Sequence, residues 1–177
     1  MEIKEFKEQY GISDATPQSP TLQVMSADGF SEAIREFINE RFRGIAHVSL
    51  HYVGTSGIFC SPEYTAYMLK ALLTAIRGRV FLEITLKEVE AHLEILIEAE
   101  GPLPLTDSEM RNIIRLARNA GMQIYPSEGS LRLTMSFTEA AARRVYAIST
   151  QDSRRIMLGK LHEIILIPEI FFAKGRK

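Results

Sequence analysis

The sequence predicts an α/β protein of the α+β kind, a two-layer sandwich whose mixed, mostly antiparallel sheet carries its helices on one face. Three observations predict it. Two stretches, "RVFLEITLKEVEAHLEILIEAEG" and "MQIYPSEGSLRLTMSF", alternate apolar and polar residues about a turn and so read as hairpins. Hairpins require antiparallel neighbours. Between and before them lie helical stretches with a single apolar stripe, which need one apolar sheet face to cover. The chain has 177 residues and 46% hydrophobic content, enough for one substantial core.

The elements follow in order. Residues 1–20 are polar, end in "DATPQSP" and read as a flexible N-terminal arm. A domain is expected over 21–137. It opens with the strand "TLQVMSA", then a helix, "DGFSEAIREFINERFRG", with Phe30, Ile34, Phe37, Ile38 and Phe42 on one face and Gly44 as its stop. "IAHVSLHYVG" is a strand by its β-branched and aromatic content, and "GTSG" is a turn. Ser61 then caps a helix with Pro62 at its first position, and Tyr64, Met68, Leu69, Leu72, Leu73 and Ile76 form its apolar stripe. The first hairpin sets Val80, Leu82, Ile84 and Leu86 against Leu93, Ile95 and Ile97, with its turn expected around Lys87–Glu90.

After the corner "EAEGPLPLTDSEMRN", Thr106 or Asp107 caps a helix that turns Met110, Ile113, Ile114 and Leu116 inward and stops at Gly121. The second hairpin turns through "PSEG". Residues 138–177 read as an extension that packs on the domain or mediates dimerisation. In it "TEAAARRVYAIS" is a helix candidate, "QDSRRIMLGKLHEIIL" a helix capped by Asp152 or Ser153, and "IPEIFF" an extended segment.

Composition excludes several function classes. With 21 basic and 22 acidic residues the chain lacks the field that draws in nucleic acid. The apolar run "IILIPEIFFA" is too short to insert through a membrane, and "MEIKEFKEQYGISD" is not a signal peptide. One cysteine, Cys60, permits no intramolecular disulfide and suits a reducing, cytoplasmic location.

Motif chemistry is sparse. His47 and His51 share a strand, where four positions span roughly 13 Å, too far for one metal ion. The glycines of "GTSGIFCSPE" precede a helix start but lack the spacing and lysine of a phosphate-binding loop, so they read as a turn. Cys60 beside that helix start meets one condition for a lowered thiol pKa but has no base partner, which favours a buried, inert cysteine. Glu98, Glu100, Asp107 and Glu109 crowd the corner, where capping and solvation explain carboxylates best.

From the Ser61 helix to Phe137, "YMLKALLTAIRG", "FLEITLKEVEAHLEILIEAEG" and "MRNIIRLARNAGMQIYPSEGSLRLTMSF" resemble the ATP-binding domain of sensor histidine kinases and the wider GHKL ATPases. Gly121, Ile124, Ser127, Glu128 and Gly129 stand at family-like positions. The resemblance implies a histidine-kinase-ATPase-like fold and places the nucleotide site at Lys70, Thr74, Glu98, Glu100, Gly101 and Thr106. It also marks where the chemistry is lost. The helix glutamate and asparagine of the family fall on Ala71 and Ala75, or on Lys70 and Thr74 one register away. The adenine-reading aspartate falls on Ala99, with Glu98 as a shifted substitute, and a motif glycine falls on Leu103. The corner leaves no room for the lid and glycine loop that enclose a triphosphate, and no histidine precedes His47 to accept a phosphoryl group. The resemblance therefore implies a degenerate, non-catalytic member of bacterial signalling that acts through a protein partner or as a homodimer, without cofactor. The alternative is a divergent ATP-binding protein or kinase that uses ATP and magnesium.

Overall fold

Where the sequence places Ser26, its hydroxyl accepts the N–H of Gly29 and starts a helix directly from a strand. The computed structural model describes residues 22–137 and 149–165, and the expectations for the N-terminal arm, for "TEAAARRVYAI" and for "IPEIFF" lie outside them. Seven strands and four helices alternate within the described residues. They are β1 (Gln23–Ser26), α1 (Ala27–Arg41), β2 (Ala46–His51), β3 (Gly57–Cys60), α2 (Pro62–Ile76), β4 (Leu82–Val89), β5 (His92–Ala99), α3 (Asp107–Asn119), β6 (Gln123–Pro126), β7 (Ser130–Ser136) and α4 (Thr150–Ile164).

Five strands form one sheet in the order β2-β4-β5-β7-β6. The β2–β4 pair is parallel, with Ala46 opposite Leu82, and the other pairs are antiparallel, so the expected mixed sheet is found. Period-two alternation sends Val48, Ile84, Ile97 and Leu131 into the core, all buried, while His47, Glu83, Glu98 and Arg132 face outward. Helices α1, α2 and α3 supply the other half of that core through Phe30, Ile34, Leu69, Leu72, Ile113 and Leu116. Helix α4 packs along α1 and against α2.

Four details depart from the sequence reading. A second, two-stranded sheet pairs β1 with β3 antiparallel, and β3 occupies part of the stretch read as turn. Its Ile58 bridges to Phe137, which ties this ribbon to the end of the second hairpin. The first hairpin turns later than expected, because Val89 still pairs with His92 and the two-residue connection puts Glu90 at φ 49°. The inward face of α3 is rotated: Asn112, Ile113, Leu116 and Ala117 are buried, whereas Met110 and Ile114 are only partly so. Finally, α4 is capped by Ser149, whose hydroxyl accepts from Asp152 N–H; Ser153 is buried one turn further in.

Docking of α4 is unusually polar. The buried Ser153 hydroxyl accepts Ser26 N–H at 2.9 Å, Thr150 Oγ1 donates to the Asp28 carboxylate at 2.8 Å, and Arg154 pairs with Glu36. A side chain at Gly29 would place its Cβ 2.3 Å from the Thr150 carbonyl oxygen, so only glycine admits this approach.

Candidate functional site

Residues 100–106 alone connect β5 to α3, and their backbone is already committed. Ala99 N–H donates to the Gly129 carbonyl at 3.0 Å and Leu103 N–H to the Glu128 carbonyl at 3.0 Å, so the corner is stitched to the turn of the second hairpin. Gly129 sits close to the corner, where a Cβ would lie 3.0 Å from the Gly101 carbonyl oxygen. Leu103 is buried beneath the corner, and Gly101 turns the chain at φ +83°.

Thr106, not Asp107, is the cap of α3. Its hydroxyl accepts Glu109 N–H at 3.1 Å and its own N–H donates to Glu109 Oε1 at 2.9 Å, a complete capping box. Amides that would attract an anionic ligand at a helix N-terminus are thus engaged in part by the chain itself.

Across from the corner, α2 packs directly on α3. Ala71 and Ala75 are buried and carry no polar group. Lys70 and Thr74, from the shifted register, are partly buried on the same helix. Burial lowers the Lys70 pKa, and its ammonium meets no hydrogen-bond or ion-pair partner among the described residues.

Glu98 and Glu100 lie elsewhere. With Arg79, Val80, Phe81, Glu83 and Ala99 they line an open cleft of about 710 Å³ where β4 begins and β5 ends. Glu98 stands directly opposite Glu83, which lies 3.4 Å from His47 Nδ1. The six candidate residues therefore fall in three places: Lys70 and Thr74 on α2, Glu98 and Glu100 at the cleft, Gly101 and Thr106 within the stitched corner. Sequence reasoning passed over Arg79, Phe81 and Glu83. Phe81, the residue just before β4, is 46% exposed.

The remaining motifs are structural. "GTSG" holds the start of α1, with Gly54 and Ser56 carbonyls accepting Asp28 and Ala27 N–H groups, and Gly54 N–H donates to Glu88. Ser61 caps α2 by accepting Tyr64 N–H at 3.1 Å. Cys60 is fully buried and desolvation pushes its thiol up to about 12, the opposite of an activated cysteine. Among the described residues no three acidic, histidine or cysteine side chains gather at metal-binding distance, and no helix is long and apolar enough to cross a membrane.

This arrangement, a one-faced sheet with its first strand pair parallel and its remaining strands in hairpins, is the histidine-kinase ATPase-like fold. The histidine kinase AdeS of Acinetobacter baumannii superposes with a TM-score of 0.51 at 12% identity, over 77% of this chain and 78% of that one. At that identity the likeness speaks for the fold alone. The cytoplasmic segment of the histidine kinase QseC (TM-score 0.44, 14% identity, 77% of this chain and 90% of that one) is a more distant match. So is the ATP-binding domain of PrrB from Mycobacterium tuberculosis (TM-score 0.43, 18% identity, 66% and 96%). No family model matches the sequence, and no curated protein matches it.

Proposed function

We propose that this chain is a non-catalytic histidine-kinase-ATPase-like domain, a binding or regulatory module of bacterial signal transduction that needs no cofactor. One observation carries the reading: the β5–α3 corner spans only residues 100–106 and is hydrogen-bonded to the second hairpin where a nucleotide cover would have to open. Phosphoryl transfer works by positioning and by charge stabilisation of the phosphates, so it needs such an enclosure and a metal-holding side chain. Ala71 and Ala75 provide neither magnesium ligand nor base.

Interaction with a protein partner or a second copy is the function left to the fold. Asn39 blunts the β2 edge by pairing with both the N–H and the carbonyl of Val48, at 2.8 and 3.1 Å. The β6 edge, with exposed Tyr125 stacked by Arg132 at 4.8 Å, is the better candidate for contact.

The alternative is a divergent ATP-binding protein, and Lys70, without a partner among the described residues, favours it, since a lysine in this setting suits a phosphate. Phosphate release from ATP with magnesium over several hours tests catalysis. No release above the buffer blank is expected, and stoichiometric turnover overturns the proposal.

A further inference from the structure

Helix α4 buries Ser153, Met157, Leu161 and Ile164 where it packs on α1 and α2, and it turns the opposite face outward. On that outer face Arg155, Gly159 and Glu163 are all exposed and follow one another at intervals of four residues, one above the next along the helix. Gly159 is the odd member. Glycine weakens a helix interior relative to alanine, and nothing among the described residues requires it here, since its φ is not positive and a Cβ would meet nothing within 4 Å. Gly29 is the contrast, held by the close approach of the Thr150 carbonyl. What Gly159 supplies is a bare spot in the wall of an open groove of about 730 Å³, lined by Glu32 of α1 and by Arg154, Arg155, Leu158 and His162 of α4. Such a spot lets another backbone come close.

The charges on either side of Gly159 are opposite. Arg155 and Glu163 each stand four residues from it, about 6 Å along the axis in opposite directions. Within the chain each is in an exposed pair with a residue three positions away, Arg155 with Asp152 at 2.9 Å and Glu163 with Lys160 at 3.6 Å. Exposed pairs of this kind are worth little and exchange readily. The pattern is self-complementary in one orientation. When two copies of α4 cross antiparallel at Gly159, a two-fold axis sets Arg155 of each beside Glu163 of the other and forms two ion pairs. A parallel crossing would instead oppose Arg155 to Arg155 and Glu163 to Glu163.

We propose that a second copy of this chain docks on the outer face of α4, the two helices antiparallel and crossing at Gly159. The bare spot permits the approach, and the charges to either side of it select the orientation. A contact confined to one helix face is small, so the dimer is weak and reversible. It makes no use of the β5–α3 corner and stands or falls apart from the question of nucleotide binding.

Sedimentation equilibrium of the full-length chain at low salt, up to about 1 mM, tests it. The expected result is a monomer–dimer equilibrium that weakens several-fold in 0.5 M salt. Arg155→Glu and Glu163→Arg, each alone, should weaken it about tenfold or more, since either homodimer then opposes like charges. Mixed in equal amounts, the two variants should form a heterodimer about as tight as the parent dimer, because each supplies the charge the other lacks. A merely structural effect of either substitution cannot produce that rescue. Gly159→Gln places a better helix former in open space, so it should keep the circular dichroism and melting temperature of the parent yet abolish the dimer. A parent that stays monomeric, a dimer indifferent to Gly159→Gln, or two charge variants that fail to pair with each other would each overturn the proposal.

Discussion

At the residue scale, burial holds Cys60 and Lys70 away from their ordinary ionisation, in opposite directions. Desolvation keeps Cys60 a neutral thiol to about pH 12, so it offers no thiolate near neutrality. Ellman's reagent should leave the native protein essentially unlabelled at pH 8 and titrate one thiol in denaturant; rapid native labelling would contradict the burial. Lys70 is shifted the other way, because partial burial disfavours its ammonium. A lysine with a depressed folded pKa binds fewer protons when folded than when unfolded. Its charge therefore costs stability at neutral pH, and the cost is relieved as pH rises through the folded pKa towards the unfolded value. Lys70→Met is expected to raise the denaturation midpoint at pH 7, with the gain over the parent shrinking as pH rises through the folded pKa and levelling off above the unfolded value of about 10.4. Equal midpoints at pH 7 would show that the ammonium is solvated after all. Comparing variant with parent cancels the alkaline titration of Cys60.

At the element scale, the most sensitive joint is α4 on α1. At its N-terminal end the contact is built from a glycine, two serines and a threonine–aspartate pair, with no flexible side-chain end to yield. Gly29→Ala sets a Cβ 2.3 Å from a backbone oxygen and 2.8 Å from Ser153 Cβ. We expect a loss of about 2 kcal/mol or more, with faster hydrogen exchange throughout α4 and little change in the β4–β5 hairpin. Uniform exchange acceleration across the sheet would instead mean that α4 and the sheet unfold as one unit.

This joint also shows where the sequence stops being legible. The apolar stripes of α1 and α2, the caps at Ser61 and Thr106, both hairpins and the stop at Gly121 are local patterns, and each is found in place. Ser149 was harder to read as the cap of α4 because Asp152 and Ser153 are equally good local signals, and only the long-range bond from Ser26 N–H draws Ser153 inward. Strand β3 was missed for the same reason. "GIFC" has no alternation of its own, and what makes it a strand is pairing with β1, more than thirty residues upstream. For the candidate site, the corner was legible because proline, glycine and a capping box are local. The cleft was not, since it depends on which β4 and β5 residues share a face at the end of the ladder.

At the scale of the whole molecule, the fold and the site point in different directions. The sheet, the three covering helices and their order are those of a histidine-kinase ATPase-like domain. On the proposed reading, the corner that would cover a nucleotide is short and hydrogen-bonded to the second hairpin, Leu103 is buried beneath it, and Ala71 and Ala75 are buried on α2. A fold is a scaffold on which sites are placed, so it can outlast the activity associated with it. The energetic logic supports this. Opening the corner would break the hydrogen bonds from Ala99 and Leu103 and expose Leu103, a cost of several kcal/mol that, on the proposed reading, nucleotide binding would have to offset.

The central claim is that this scaffold no longer takes up nucleotide, and the melting temperature with and without ATP and magnesium tests it most directly. A ligand at one hundred times its dissociation constant stabilises by about 2.7 kcal/mol, a rise of several degrees for a domain of this size. The account predicts a shift of less than about 1 °C at millimolar ATP. A rise of several degrees that depends on magnesium and is lost in Lys70→Met would contradict it and place this chain among the working ATP-binding domains.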